Sequence, residues 1–223
     1  MTTTEKAHKG PAMEGVIATW YARITKRDRG YVALADSIAA QLPPGARVLE
    51  VAPGPGYLAI ELARRGLRVT AIDISHTFVA LAIANARDAG VEVTVRQGNA
   101  AELPFADGAF DFVVCRAAFK NFTDPLGALN EVHRVLAVAG RASIIDLRKD
   151  ATAGEIRAEV DGMEMSWLNA WWTRLTFRAF LLKNAYTNES LDELVARSRF
   201  GRGEIRRDGI AFDLRLAKLT PSA

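Results

Sequence analysis

The hydrophobic positions of the chain follow two alternating patterns. Short apolar runs rich in β-branched residues recur, and stretches with helical spacing of apolar residues lie between them. This alternation predicts a series of βαβ units, and therefore a mostly parallel sheet with helices on both faces. The predicted strands cover residues 47–51, 67–72, 91–95, 110–114 and 142–146.

Helices are predicted both before and between these strands. Two leading helices are expected over residues 16–24 and 31–42. A further helix follows the fourth strand, where Thr123 or Asp124 is expected to cap it and Pro125 suits its first position. The apolar residues that share one stripe of this helix are Leu126, Leu129, Val132 and Leu136.

The last part of the chain predicts a β-hairpin. Asp208 and Gly209 lie between two strand-like runs, and an Asp-Gly pair in that setting is a strong signal for a tight hairpin turn. We therefore expect the otherwise parallel sheet to end in an antiparallel pair.

Composition and charge exclude several classes of protein. The 223 residues are 49% hydrophobic and 25% charged, with a net charge of +3, which is typical of one folded domain and not of a disordered chain. The basic residues are scattered, so no nucleic-acid partner is expected. One cysteine and three histidines offer no disulfide and no metal-ligand spacing. The polar first residues and the lack of long apolar runs predict a cytoplasmic protein without stable membrane association.

The most informative stretch is the loop after the first predicted strand, in the sequence VLEVAPGPGYLAIELARRG from Val48. Gly54 and Gly56 suit such a turn because glycine tolerates unusual backbone angles and leaves no side chain between backbone and ligand. The loop therefore indicates a site for a nucleoside-containing cofactor. With Ala59, the two glycines also fit the G-x-G-x-x-G/A pattern of dinucleotide-binding proteins, so the loop alone leaves both cofactor classes open.

Two carboxylates narrow this choice. Glu50 ends the strand before the loop, where it would repel a diphosphate and attract a cofactor that carries an ammonium and a sulfonium. Asp73 closes the second strand, where a carboxylate can accept hydrogen bonds from ribose hydroxyls. The alternative is that Asp73 caps the helix starting near Ser75, although Ser75 can do that itself.

Four motifs in order carry a family resemblance: the glycine loop from Val48, the acid at Asp73, RQGNAAELPFADGAFDFVVC from Arg96, and LNEVHRVLAVAGRASIIDL from Leu129. Together they resemble the class I S-adenosylmethionine-dependent methyltransferases, especially the ubiquinone and menaquinone biosynthesis enzymes. The resemblance covers about residues 47–147. It implies a doubly wound, Rossmann-like, seven-stranded α/β sheet and a transferase that uses S-adenosyl-L-methionine.

The resemblance also implies roles for single residues. The glycine loop would wrap the methionine part of the cofactor, Asp73 would hold the ribose, and Asn99 would meet the adenine amino group. The two departures from the family pattern are Ala52, where a glycine is usual, and Asn99, where an aspartate is usual; both residues keep the required size or hydrogen-bonding capacity. The full set of cofactor contacts implied is Glu50, Ala52, Gly54, Pro55, Gly56, Asp73, Ile74, Asn99, Ala100, Cys115 and Arg116, with Tyr21 from the leading helix.

No catalytic residue is obligatory for direct displacement of a methyl group, because orientation in a water-poor pocket supplies most of the effect. Candidates for a base or an orienting group follow the fourth and fifth strands: Lys120, Asn121, Asp146 and Arg148. Each of them could equally be structural, and Lys120 could be a solvated lysine. His133 lies mid-helix and is expected to be structural. Tyr21 or Trp20 is expected either to contact the ligand or to pack in the core.

The segment between the fifth strand and the hairpin is long and aromatic. We divide the single domain, 1–223, into leading helices (1–45), a cofactor-binding core (46–150), a helical insertion over the active site (151–187) and a terminal helix and hairpin (188–223). The insertion carries a stripe of Met165, Leu168, Trp172, Leu175 and Leu182, with Trp167, Trp171 and Phe180 elsewhere around its axis. It would roof an apolar substrate pocket or pack against a second subunit in a homodimer.

The sequence thus predicts a methyltransferase for a small, apolar or aromatic acceptor. Two alternatives stay open: a methyltransferase fold that has lost activity and serves as a binding protein, which Ala52 and Asn99 leave room for, and an NAD(P)-dependent oxidoreductase, which the glycine loop alone would allow.

Overall fold

A computed structural model describes residue 9 and residues 13–26, 28, 30–162 and 184–219. At its centre is a seven-stranded sheet in the order β3-β2-β1-β4-β5-β7-β6. The strands are β1 (Arg47–Val51), β2 (Arg68–Asp73), β3 (Val93–Gln97), β4 (Phe110–Arg116), β5 (Leu136–Leu147), β6 (Glu204–Asp208) and β7 (Ala211–Ala217). The described helices are α1 (Gly15–Thr25), α2 (Gly30–Ala39), α3 (Tyr57–Arg64), α4 (His76–Asp88), α5 (Pro125–Val135), α6 (Ala153–Gly162) and α7 (Asn188–Arg197), with a 3-10 turn over Phe119–Asn121.

The predicted architecture is confirmed. Strands β1 to β5 are parallel, and β7 inserts antiparallel between β5 and β6. Strand β1 pairs with β2 on one side and β4 on the other, so the chain reverses its direction of winding at that point. In open parallel sheets, ligands bind at the carboxyl ends of the strands beside this reversal.

The core has one layer on each face of the sheet because side chains alternate along each strand. On the face covered by α2 and α3, the buried side chains include Val48, Leu58, Leu62, Val69, Phe112 and Val114. On the face covered by α5 and α7, they include Leu49, Val113, Cys115, Leu129, Ile144 and Leu191. The alternation decides which residues at the strand ends share a face.

The hairpin and the helix cap were predicted well. The hairpin is confirmed, but its turn residues are Gly209 and Ile210, because Asp208 is the last residue of β6 and pairs with Ala211. Asp124 caps α5, since its Oδ1 accepts a hydrogen bond from the Gly127 N–H at 2.8 Å, and Pro125 is the first helical residue.

The end of α5 was predicted wrongly. Leu136 was assigned to its apolar stripe, but α5 ends at Val135 and β5 begins at Leu136, six residues before the predicted start of that strand at 142. Helix and strand follow each other without a turn between them, and a non-glycine residue in the left-handed region, Ala139 at φ 61°, takes up the irregularity. The second leading helix is also shorter than predicted and ends at Ala39.

The predicted aromatic stripe over the site, from Met165 to Leu182, lies outside the described residues. Of the predicted insertion, the structure describes α6 and the residues from 184 onward. Among the described helices, none has both the length and the apolar character needed to cross a bilayer.

Candidate active site

The glycine loop joins β1 to α3 in a sharply turned conformation. Ala52, Gly54 and Gly56 all adopt positive φ angles of 56°, 55° and 80°. A side chain at Gly56 would also clash with α4, because a Cβ there would lie 2.9 Å from the Cβ of Ala82. At Gly54 the nearest atom to such a Cβ would be Tyr21 Cε1, at 3.9 Å. The loop is therefore closed by α4 on one side and covered by Tyr21 on another.

Glu50 is a buried carboxylate directly beneath this loop. It is 3% exposed, and its Oε2 has no hydrogen-bond partner among the described residues. Burial raises the pKa of Glu50 to about 8, against the smaller lowering effects of the Ala59 N–H and the Arg116 charge; Asp73 raises it further. A buried carboxyl without a partner carries a desolvation cost, which a hydrogen-bond donor or a cation would offset.

Asp73 connects the end of β2 to the glycine loop. Its Oδ2 accepts a hydrogen bond from the Gly54 N–H at 3.0 Å, and its Oδ1 accepts one from the Ser75 N–H at 2.9 Å. Burial raises the pKa of this carboxyl to about 6. Ser75 is the residue that caps α4, since its Oγ accepts from the Phe78 N–H at 3.0 Å. The alternative in which Asp73 is the helix cap is therefore wrong.

The segment leading into α1 is hydrogen-bonded to the start of α4, close to Asp73. The Glu14 carboxylate accepts hydrogen bonds from the backbone N–H groups of His76 (2.9 Å) and Thr77 (3.0 Å) at the start of α4. Farther along α1, the Tyr21 ring packs edge-on against Phe78 with 5.9 Å between centroids. Tyr21 thus covers the loop, whereas Trp20 on the same helix is 61% exposed and faces away.

Arg116, at the end of β4, links the leading helices to the site. Its guanidinium bonds to Asp28 at 2.7 Å and stacks over the Tyr31 ring at 4.5 Å from the centroid. Since Glu50 is registered opposite Val114, two residues before Arg116, Glu50 and Arg116 lie on the same face of the sheet. Arg116 is therefore the cation whose charge acts on Glu50.

Cys115 points to the opposite face. It is 4% exposed and packs in the core on the side of α5 and α7, and burial raises the pKa of its thiol. Strand alternation thus directs the Cys115 side chain into the core, and a contact between Cys115 and the cofactor stays a prediction.

Lys120 and Asp146 form a buried ion pair next to Cys115. The Lys120 Nζ lies 2.8 Å from Asp146 Oδ1, and the Lys120 backbone N–H donates to Oδ2 at 2.9 Å. Oδ1 also accepts from the Leu147 N–H at 2.8 Å. The interpretation of Lys120 as a solvated lysine is wrong, because its side chain is only 9% exposed. Asp146 fixes the loop after β4 through these bonds.

Of the remaining predicted site residues, some lie at the glycine loop and others make structural contacts next to it. Ile74 is 39% exposed beside Asp73, and Pro55 is held by the Asn85 side chain, which donates to its carbonyl at 2.8 Å. The Asn99 Oδ1 already accepts from the Ala101 N–H at 3.0 Å, and Ala100 packs against the core. The Asn121 carbonyl accepts from the Lys9 N–H at 2.7 Å.

Arg148 and His133 make structural contacts. Arg148 is 3% exposed and binds Glu155 at 2.6 Å, which ties α6 to the end of β5. His133 stacks edge-on against Phe200 at 5.0 Å, away from the strand ends, as expected for a structural residue.

Two residues near the site had no signal in the sequence. Glu14 and Asp28 act through partners 62 and 88 positions away, His76 and Arg116, so no local pattern marks them. Among the described residues, no cluster of three or more histidine, cysteine or acidic side chains could hold a metal ion.

Known proteins share both the motifs and the architecture. Residues 49–144 match the family model described as a methyltransferase domain. Demethylmenaquinone methyltransferase of Thermus thermophilus is 40% identical over 102 residues, which are 45% of this chain and 46% of that protein. The enzyme of the same name from Deinococcus radiodurans is 34% identical over 127 residues, 56% of this chain and 52% of that protein. The chain thus spans about half the length of the curated relatives it matches.

A solved structure covers the whole fold. The crystal structure of a putative S-adenosyl-L-methionine-dependent methyltransferase from Methanococcus maripaludis covers 99% of both chains with a TM-score of 0.77 at 21% identity. This likeness supports the fold, and the matched motifs support the domain type. Residues 49–144 are therefore similar to a methyltransferase domain, and the chain shares the fold of this solved structure.

Proposed function

We propose that the chain is an S-adenosylmethionine-dependent methyltransferase for a small apolar or aromatic acceptor. The observation that carries this proposal is the Glu50 carboxyl, which is buried beneath the glycine loop with an unpartnered oxygen. A cationic amino-acid group at this place would supply the missing partner. A diphosphate would instead bring like charge to Glu50 and Asp73.

The residues around the loop fit the parts of this cofactor. The ammonium group of the methionine part would lower the pKa of Glu50 and pair with its carboxylate, and Arg116 offers a cation to the carboxylate of the cofactor. Asp73 has lone pairs left for ribose hydroxyls, in addition to those used by Gly54 and Ser75. Ile74 presents an exposed apolar side chain beside Asp73, where an adenine ring would follow the ribose.

When bound, S-adenosylmethionine supplies an electrophilic methyl group on a sulfonium. The protein's part is to orient the acceptor and exclude water, which suits direct displacement without an obligatory base. Both oxygens of Asp146 are engaged by the loop after β4, so we assign Asp146 and Lys120 the role of positioning residues that shape this side of the pocket. Asn121, on the same turn, is the remaining candidate to contact the acceptor.

Two partly buried aromatic rings next to this turn support an apolar or aromatic acceptor. Phe122 and Tyr186 pack against the core residue Phe119, with 5.5 Å and 5.6 Å between ring centroids. Such rings favour flat, apolar ligands. The names of the relatives agree with this chemistry, because both demethylmenaquinone methyltransferases act on a quinone-type compound by their description.

Calorimetric titration tests the cofactor. The wild-type protein is expected to give binding heat with S-adenosylhomocysteine and none with NADH. Glu50→Gln should weaken the binding of S-adenosylhomocysteine by about tenfold or more, because a hydrogen bond between charged groups is lost. The matched control is Glu102→Gln, an exposed glutamate that should leave the affinity unchanged. Heat from NADH alone would support the oxidoreductase alternative, and heat from neither compound would support a binding protein without activity.

Product profiling tests the reaction. Incubation with methyl-labelled S-adenosylmethionine and a small-molecule extract is expected to label an apolar or aromatic compound. Label confined to protein or nucleic acid would contradict the proposed acceptor class while leaving the cofactor assignment intact.

A further inference from the structure

Helix α1 has two different faces. Its inner face carries buried Ala18 and Ala22 and the Tyr21 ring that covers the glycine loop. Its outer face carries large apolar side chains at helical spacing, which we call the outer stripe: Val16 (85% exposed), Ile17 (49%), Trp20 (61%) and Ile24 (55%). Such side chains scattered singly need no explanation, but four of them on a three-turn helix form a contiguous apolar surface.

The charged side chains on α1 itself are basic, and Glu14 before it is bound by the backbone N–H groups of His76 and Thr77. Arg23 is exposed on α1 and Lys26 follows its last turn. From Gly15 to Arg27 the sequence contains three basic and no acidic residues. The first acid beyond them, Asp28, is engaged by Arg116 at 2.7 Å. The outer stripe is therefore an apolar surface bordered by positive charge.

We propose that the outer stripe of α1 docks on a lipid surface that carries anionic headgroups. A helix whose exposed face combines tryptophan, isoleucine and valine with flanking basic residues lies in the plane of a bilayer interface, with the apolar side chains among the upper acyl chains. This docking is reversible and peripheral. It holds whether or not the chain transfers methyl groups.

The lack of a free acidic partner argues against a second copy as the occupant. A second copy would offer these basic residues no free acid from α1 or its flanks, because Glu14 is bound by the start of α4 and Asp28 by Arg116. Basic residues without acidic partners in an interface add nothing to its affinity, whereas anionic headgroups would neutralise them. Docking in this orientation would bring the glycine loop, which α1 covers, close to the membrane surface. The apolar acceptor of the proposed reaction would be dissolved in that membrane.

Vesicle co-sedimentation tests the proposal. The wild-type chain should pellet with vesicles of phosphatidylcholine and phosphatidylglycerol at low salt, and much less with phosphatidylcholine alone. At about 1 M salt, where the screening length is near 3 Å, binding to the anionic vesicles should fall strongly. Trp20→Ser combined with Ile24→Ser should lower the partition coefficient about tenfold or more.

A matched control uses exposed apolar residues elsewhere. Ile83 on α4 is 50% exposed and Val138 on β5 is 59% exposed, so Ile83→Ser combined with Val138→Ser removes similar apolar surface away from α1. Circular dichroism and thermal melting show whether each variant is folded. Wild-type protein that stays in the supernatant with anionic vesicles at low salt would overturn the proposal. So would equal losses in both double variants, or a dimer in analytical ultracentrifugation that the α1 variant alone dissociates.

Discussion

The buried carboxyl of Glu50 gives the sharpest prediction, because its effect on the free energy of unfolding depends on pH. Its pKa lies near 8 in the folded protein, whereas an unperturbed glutamate titrates near 4.5. A folded-state pKa above the unfolded value means that the contribution of this group to stability is fully present below pH 4.5 and is lost as the pH rises through 8. The ligand-free protein should therefore become less stable across this window.

The size of the loss follows from the two pKa values. Each pKa unit corresponds to about 1.4 kcal/mol, so between pH 5 and pH 8 the Glu50 carboxyl should cost the wild type roughly 3–4 kcal/mol of unfolding free energy. Glu50→Gln removes the ionisation but keeps the shape and an oxygen acceptor. The new amide leaves a buried donor whose cost, about 1–3 kcal/mol, does not change with pH.

The measurement is urea unfolding of wild type and Glu50→Gln without ligand at several pH values from 5 to 8. Because every other titrating group is shared, the difference between the two unfolding free energies isolates Glu50. The difference should shift in favour of the variant by about 3–4 kcal/mol as the pH rises. Two curves that run parallel over this range would refute the reasoning that burial holds this carboxyl protonated.

Three further predictions concern the supports of the site. Ala52→Gly should raise the free energy of unfolding in urea by up to about 1 kcal/mol, because the strain of alanine at φ 56° exceeds the entropy cost of glycine. The control Ala33→Gly, in the exposed middle of α2, should lower it by about 1 kcal/mol. Lys120→Met should cost about 3–5 kcal/mol in the wild type and much less in an Asp146→Asn background, and equal costs in both would contradict a coupled buried pair. Glu14→Ala should lower the unfolding free energy by about 1 kcal/mol through loss of the hydrogen bonds to α4, and an unchanged value would show that this contact carries no stability.

The sequence predicted the fold because its signals are local. Strand β1 was predicted with its observed bounds, and the Asp208-Gly209 pair marked the hairpin to within one residue of its turn. The start of β5 was missed because the local signal at that point is misleading. Leu136 continues the helical spacing of α5, and no glycine or proline separates helix from strand at that point. Only pairing with β4, in which Phe110 lies opposite Leu136, identifies the residue as part of a strand.

Site residues were predictable to the extent that a motif fixes their place. Glu50 and Asp73 follow from their positions at the ends of strands that flank the glycine loop. The burial of Lys120 could not be predicted, because it depends on Asp146, 26 positions later, reaching the same strand edge. The orientation of Cys115 was predictable in principle, since Val113 and Cys115 alternate with Val114 and Arg116 along β4, but the sequence does not tell which set faces the loop.

A crystal structure with S-adenosylhomocysteine tests the central claim most directly. The account predicts the amino-acid part of the ligand against the glycine loop with its ammonium group within hydrogen-bond distance of Glu50, and the ribose hydroxyls within reach of Asp73. A ligand bound elsewhere, or an amino-acid part that leaves Glu50 without a partner, would contradict the claim that this buried carboxyl exists to hold a cationic cofactor.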